Sequence, residues 1–154
     1  MSIMKLENIK EVCVKCGAKC CYLGGPTLTR KERNKILKAG FKDFFILSGS
    51  FYDVKTKNKC PYLENKTCSI YEFRPLVCKI WPVFPIFEKN KSKIIVLYCQ
   101  LTRTLSKKDI EKLKNSSKKV SRNLSIANVS NLSPAIKRKL NKFGWNKNVK
   151  EALK

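Results

Sequence analysis

The stretch from Cys60 to Pro85, CPYLENKTCSIYEFRPLVCKIWPVFP, constrains this chain more than any other. It places three cysteines, four prolines and five aromatic residues in 26 positions. Proline fixes φ, and rigid aromatic side chains have few rotatable bonds, so such a run loses little freedom on folding. That suits a segment holding the sulfurs of Cys60, Cys68 and Cys78 at set positions. The other sulfurs lie upstream, at Cys13, Cys16, Cys20 and Cys21, and downstream, at Cys99. The pattern predicts that the eight cysteines meet in space around metal.

Histidine is absent from all 154 residues. This removes the commonest general base, histidine-bearing zinc sites, Rieske ligation and Ser/Cys–His catalysis together. No glycine-rich phosphate loop is present either. Metal chemistry here must be thiolate chemistry, with Glu64 or Glu72 as an occasional extra ligand. All-sulfur sites suit zinc or iron–sulfur clusters. Eight sulfurs fill two four-ligand sites, or serve one cluster with some to spare.

Cys13 and Cys16 stand at the spacing that lets a tight backbone turn bring two sulfurs onto one ion, and Gly17 permits the positive φ such turns need. Cys20 and Cys21 are adjacent, and adjacent side chains point in different directions. They therefore face two separate sites, or one ligates while the other packs as a small hydrophobe. The C-x2-C-x3-C spacing of Cys13, Cys16 and Cys20 also ends ferredoxin cluster motifs, but here the first cysteine of that motif is missing. The long loops between Cys60, Cys68 and Cys78 do not match paired C-x2-C zinc knuckles. That puts an iron–sulfur cluster, of the 4Fe–4S kind, ahead of zinc.

The first ten residues lack the apolar core of a secretory signal, and no run approaches the ~18 apolar residues of a membrane span. A cytoplasmic protein without a membrane partner is expected, in which reduced thiols hold metal rather than each other.

The expected architecture is α+β: a small, irregular, metal-stapled domain with short strands and helices, and a basic helical tail. Residues 1–12 read as short and only partly ordered. Thr29 with Glu32 forms a capping box that opens a helix, which Gly40 closes. Ile36 and Leu37 face inward there, and Arg30, Lys31, Arg33, Lys35 and Lys38 face solvent. Residues 44–47 and 51–54 read as strands around a turn at 48–50. Residues 84–88 and 93–98 read as a hairpin that delivers Cys99. Ser106 caps a helix to about Arg122, with Ile110, Leu113 and Val120 as apolar positions, and Pro134 starts another ending near Gly144. The cysteine-bearing domain is assigned to 1–102 and the lysine-rich extension to 103–154.

The formal net charge is +23, from 34 basic and 11 acidic residues. An AT-rich gene explains abundant lysine but not scarce acids, so a nucleic acid or other polyanion is a second candidate partner beside metal. The competing functional class is a nucleic-acid-binding module with structural zinc. The plainer reading is a solvated basic face.

Cys60-Pro-Tyr-Leu, Cys68-Ser-Ile-Tyr, Arg74-Pro-Leu-Val-Cys78 and Trp81-Pro82, taken in order, resemble the signature of the YkgJ-like cysteine-cluster family, a zinc- or iron-chelating domain. CVKCGAKCC at 13–21 resembles its opening motif, spelled CxxCxxxxCC, with three residues instead of four before the cysteine pair. The resemblance covers about residues 13–99. It implies metal binding by Cys13, Cys16, Cys20 or Cys21, Cys60, Cys68 and Cys78, with Cys99 the least supported of the eight. A similar block occurs in flagellin lysine methylases, which implies a redox or methyl-transfer setting. Arg74, before proline and between two cysteines, either offsets the charge of a thiolate cofactor site or donates to backbone carbonyls and fixes the loop. Tyr62, Tyr71 and Trp81 read as core lining rather than redox relays.

Overall fold

The computed structural model describes residues 6–23, 25–56, 59–88, 91–97, 99–120, 138 and 141–143. The fold is α+β, as expected. Helix α1 runs over Leu6–Cys16, where the sequence reading had a partly ordered segment followed by a tight turn. Leu6, Ile9, Val12, Cys13 and Cys16 recur at three- and four-residue intervals, the spacing of one helical stripe, and this overrides the local turn signal. The helix ends when the Ala18 N–H donates to the Cys13 carbonyl at 2.9 Å and the Gly17 N–H to the Val14 carbonyl at 3.0 Å. This paired closure needs a left-handed residue, and Gly17 supplies it at φ 78°. Gly17 thus takes the positive φ expected of it, at a helix end rather than in a knuckle.

Helix α2, Arg30–Lys38, has the full Thr29–Glu32 capping box, and Gly40 follows at φ 91°. Ile36 is fully buried and Leu37 half-buried. Four of its five basic residues are exposed; Arg33 turns inward, pairs with Asp43 and lies 4.7 Å from the Tyr52 ring centroid. Strands β1 (Thr27–Leu28), β2 (Phe45–Ser48) and β3 (Phe51–Val54) form an antiparallel sheet in the order β1-β3-β2. Leu28, Ile36, Cys60, Tyr62 and Ile70 make the main core, with Phe44, Phe45, Tyr52, Cys21 and Cys68 packed against it. The cysteine block is therefore part of the core and not an appendage to it.

Within that block, β4 (Leu63–Glu64) and β5 (Thr67–Cys68) form a hairpin. Its two-residue turn, Asn65–Lys66, has both φ angles positive, the form whose twist matches paired strands. A single 3-10 turn, Tyr71–Phe73, leads to buried Pro75 and the one-turn helix α3, Leu76–Lys79. Strands β6 (Val83–Glu88) and β7 (Lys91–Val96) pair from Val83↔Val96 to Glu88↔Lys91, so β7 starts two residues before the expected 93. Helix α4 is Gln100–Thr104, and α5, Lys107–Ser117, is capped by Ser106 as expected. Val120 is buried against Ile80. The expected helix over 134–144 lies outside the described residues except for Arg138 and 141–143, which are helical. No helix among the described residues is long and apolar enough to cross a membrane.

Candidate metal centre

Three short elements carry the cysteines of the block. Cys60 is buried just ahead of β4, and its N–H donates to the Cys21 carbonyl at 2.8 Å, joining the block to the N-terminal motif through the backbone. Cys68 ends β5 opposite Leu63. Cys78 lies in α3, whose first N–H, that of Leu76, donates to Glu32 Oε1 at 2.8 Å. The other oxygen of the same carboxylate accepts from the Thr29 N–H at 2.8 Å. Glu32 thus closes the cap of α2 and seats the helix bearing Cys78. Sequence reasoning found only the first half, because its second partner is 44 residues away.

At the N-terminus, Cys13 and Cys16 are three residues apart on a helix and so share a face. Gly17 and Ala18, both at positive φ, reverse the chain into a 3-10 turn over Lys19–Tyr22. A left-handed alanine costs about 1–2 kcal/mol, and Ala18 accepts this while buried. Cys20 and Cys21 both sit in this turn, and Cys21 packs against the main core. The 3-10 turn replaces the helical or extended backbone on which the expectation for this adjacent pair rested.

Cys13, Cys20, Cys21, Cys60, Cys68 and Cys78 line one cavity of about 370 Å³. Burial pushes Cys13 and Cys60 up to about 11. It also raises Cys68, and it lifts Cys78 well above the ordinary thiol value, with Cys21, Cys68 and Cys60 adding like-charge repulsion. Cys20 is raised well above that value, first by its neighbour Cys21 and then by burial. Cys21 is lowered, first by its neighbour Cys20, with the nearby Arg74 cation acting the same way. Metal bound here displaces protons from these thiols.

Arg74 fixes the loop through a backbone carbonyl, as one of its expected roles had it. Its Nε donates to the Tyr71 carbonyl at 2.8 Å, and its guanidinium lies 3.8 Å from the Tyr71 ring centroid. It also lines the cavity and favours the thiolate forms of Cys13, Cys21, Cys68 and Cys78. The Tyr71 hydroxyl is buried without a hydrogen bond of good geometry. Tyr62 is core lining, its hydroxyl donating to the Lys42 carbonyl at 2.6 Å and its ring set edge-on to Phe44. Glu64 and Glu72 are exposed and do not line this cavity. Asp53 is on the wall, and it accepts from Thr27 at 2.6 Å.

Cys16 and Cys99 do not line the large cavity. They line a smaller one of about 20 Å³, together with Cys13 and Cys20. All eight thiols are free. Among the described residues no three cysteines or carboxylates close into a ready-made coordination shell; the sulfurs ring a space instead. The donors are soft, histidine is absent and a cation stands in the wall, a set that fits zinc or iron in kind.

Fold and site together define a small thiol-rich metal-chelating domain. Residues 12–100 match the family CxxCxxCC, described as "Putative zinc- or iron-chelating domain", and the chain belongs to that family. The family's pattern has two residues before the cysteine pair, where this chain has Gly17, Ala18 and Lys19. The family spacing is thus two residues and not the four expected from the resemblance. A protein of Methanocaldococcus jannaschii named "Uncharacterized protein MJ0661" is 36% identical over 88 residues, covering 50% of this chain and 47% of the relative. The chain spans about half the length of that relative. No solved structure matches it.

Proposed function

We propose that this chain is an iron–sulfur protein whose centre is held by Cys21, Cys60, Cys68 and Cys78, with Arg74 offsetting its negative charge. The observation that carries this reading is the single cavity of about 370 Å³ onto which cysteines from three separate segments converge. A lone zinc ion binds sulfur at about 2.3 Å and draws four sulfurs to a point. Thiols ringing a wide space suit a cluster, whose own sulfide ions span the gap. When bound, such a cluster supplies electron transfer or Lewis acidity. The chain's own residues fix the thiols, exclude water through Ile70, Val77 and Ile80, and set a cation beside them. A redox or methyl-transfer role in a reducing, cytoplasmic compartment follows from this reading. Residues 103–154 are then an extension of the domain, which the packing of Val120 on Ile80 supports.

Anaerobic purification followed by iron, zinc and acid-labile sulfide analysis and a visible spectrum tests this. Iron with matching sulfide and a brown colour is expected. A colourless protein with stoichiometric zinc and no sulfide would replace the reading with a structural zinc module. The exposed Arg30, Lys31, Lys35 and Lys38 on α2 favour a polyanion partner as the second reading. That reading predicts RNA or DNA affinity falling steeply between two salt concentrations.

A further inference from the structure

We propose that the Tyr71 hydroxyl is a positioning group of the thiolate centre, donating a hydrogen bond to a metal-bound sulfur on the Cys13–Cys68 side of the large cavity. This rests on the function proposed above and names a residue that tunes that same site.

Tyr62 and Tyr71 are both buried, but their hydroxyls differ. That of Tyr62 donates to the Lys42 carbonyl at 2.6 Å. Tyr71 lines the large cavity, is only 8% exposed, and its oxygen is buried with no hydrogen bond of good geometry. Leaving a buried hydroxyl unpaired costs its full desolvation, so nearly all such groups in folded proteins have a partner. Arg74 cannot be the acceptor. Its guanidinium lies 3.8 Å from the Tyr71 ring centroid, and it carries five donors and no acceptor. Even an Arg74 N–H given to the phenol oxygen leaves the phenol proton unplaced.

The acceptors at hand are sulfurs. Cys68 ends β5 three residues before Tyr71, and Cys13 lines the same cavity. Burial pushes the Tyr71 hydroxyl above the ordinary phenol value, with Arg74 opposing and Cys13 and Cys68 adding to the rise. The hydroxyl therefore keeps its proton and stays a donor. A neutral thiol sulfur accepts weakly, whereas a metal-bound thiolate carries charge and accepts well. Tyr71 is thus matched to the filled centre rather than to the free thiols. No proton or electron is transferred in making this bond. Its consequence is electronic: a donor to sulfur draws charge from the centre, favours the more reduced state and lowers the sulfur lone pairs in energy. The Arg74 stack holds the ring that aims the hydroxyl.

The test compares the anaerobically purified full chain with its Tyr71→Phe and Tyr62→Phe variants by iron and sulfide content, redox titration and visible absorption. Tyr71→Phe should keep its cluster, with a reduction potential below that of wild type and sulfur-to-metal charge-transfer bands at longer wavelength. Tyr62→Phe should match wild type in both. An unshifted potential and unshifted bands in a fully loaded Tyr71→Phe overturn the inference and leave the iron–sulfur reading standing. Equal shifts in both tyrosine variants overturn it as a general packing effect, and so does loss of the cluster from a folded Tyr71→Phe, since the phenol would then hold the centre rather than tune it. Zinc without sulfide in wild type overturns the iron–sulfur reading instead. The cobalt-substituted chain then decides the tyrosine: a charge-transfer band at longer wavelength in Tyr71→Phe upholds it, and an unmoved band overturns it. Should Tyr71→Phe unfold by circular dichroism, para-fluorophenylalanine at position 71 fills the space of the hydroxyl without a donor and is held to the same outcomes.

Discussion

Between Cys60 and Cys78, three thiols ride on three short elements, each tied into the apolar core: Cys60 itself is a core residue, Cys68 pairs with buried Leu63, and α3 hangs from Glu32. Between Cys13 and Cys21, four thiols ride on one helix end and a reversal through two left-handed residues. The first region is anchored at each of its three elements, through the core and through Glu32. The second is held at its edges, by the Cys60–Cys21 backbone bond and by α4 packing on α1. Metal therefore matters unequally. On the function proposed above, metal would fill a prepared space in the block and supply much of the cross-linking at the N-terminus.

Stripping metal with a strong chelator under reducing conditions should have the largest effect. A centre at 1,000 times its dissociation constant adds about 4 kcal/mol, which in a chain of this size is roughly 8–16 °C of melting temperature. Limited proteolysis should then cut near residues 13–21 before it cuts in 60–78. An unchanged melting temperature after verified metal loss would break the comparison outright, and cutting in the block first would reverse it. Next comes Gly25→Ala, since a Cβ there would overlap the Val54 side chain. An overpacking cost of about 2–3 kcal/mol in urea unfolding is expected, from a wall the core region shares with the large cavity.

Glu32→Ala should cost about 2 kcal/mol, from the lost cap and the unpaired Leu76 N–H. Because Glu32 seats α3, metal retention at Cys78 should weaken while protease resistance at residues 13–21 is kept. Equal losses at both would show that the two regions are not separately supported. The smallest effect belongs to Asp43. The Arg33 guanidinium holds its carboxyl below the usual range, helped by the Phe45 N–H. A folded value below the unfolded one adds stability that is present above about pH 4 and lost as pH falls through the folded value. Asp43→Asn should therefore shrink the drop in melting temperature between about pH 5 and pH 2, slightly, because the pair is exposed. No change would mark the pair as ornamental to the core region's stability.

Much of the chain was legible because the rules involved act within a few residues. The Thr29–Glu32 box, the stop at Gly40, strands β2 and β3, the hairpin ahead of Cys99 and the Ser106 cap all follow from neighbours three or four positions apart. Where two local signals competed, the wrong one was easily chosen. Around Cys13 a C-x2-C-Gly turn and a helical stripe share the same residues, and only packing of α1 on α4 separates them.

By itself, the sequence determined the kind of chemistry and the family: eight thiols, no histidine and an ordered proline–aromatic block admit soft-metal binding and little else. Tertiary structure alone decided which sulfurs meet. Cys99 lines the small cavity with Cys13 across 85 intervening positions, Cys20 and Cys21 both reach the large one, and Glu32 reaches Leu76. The physical reason is range. Backbone propensity and capping are set by adjacent residues, whereas convergence of side chains depends on how whole elements pack, and adjacent positions in the chain carry no record of that.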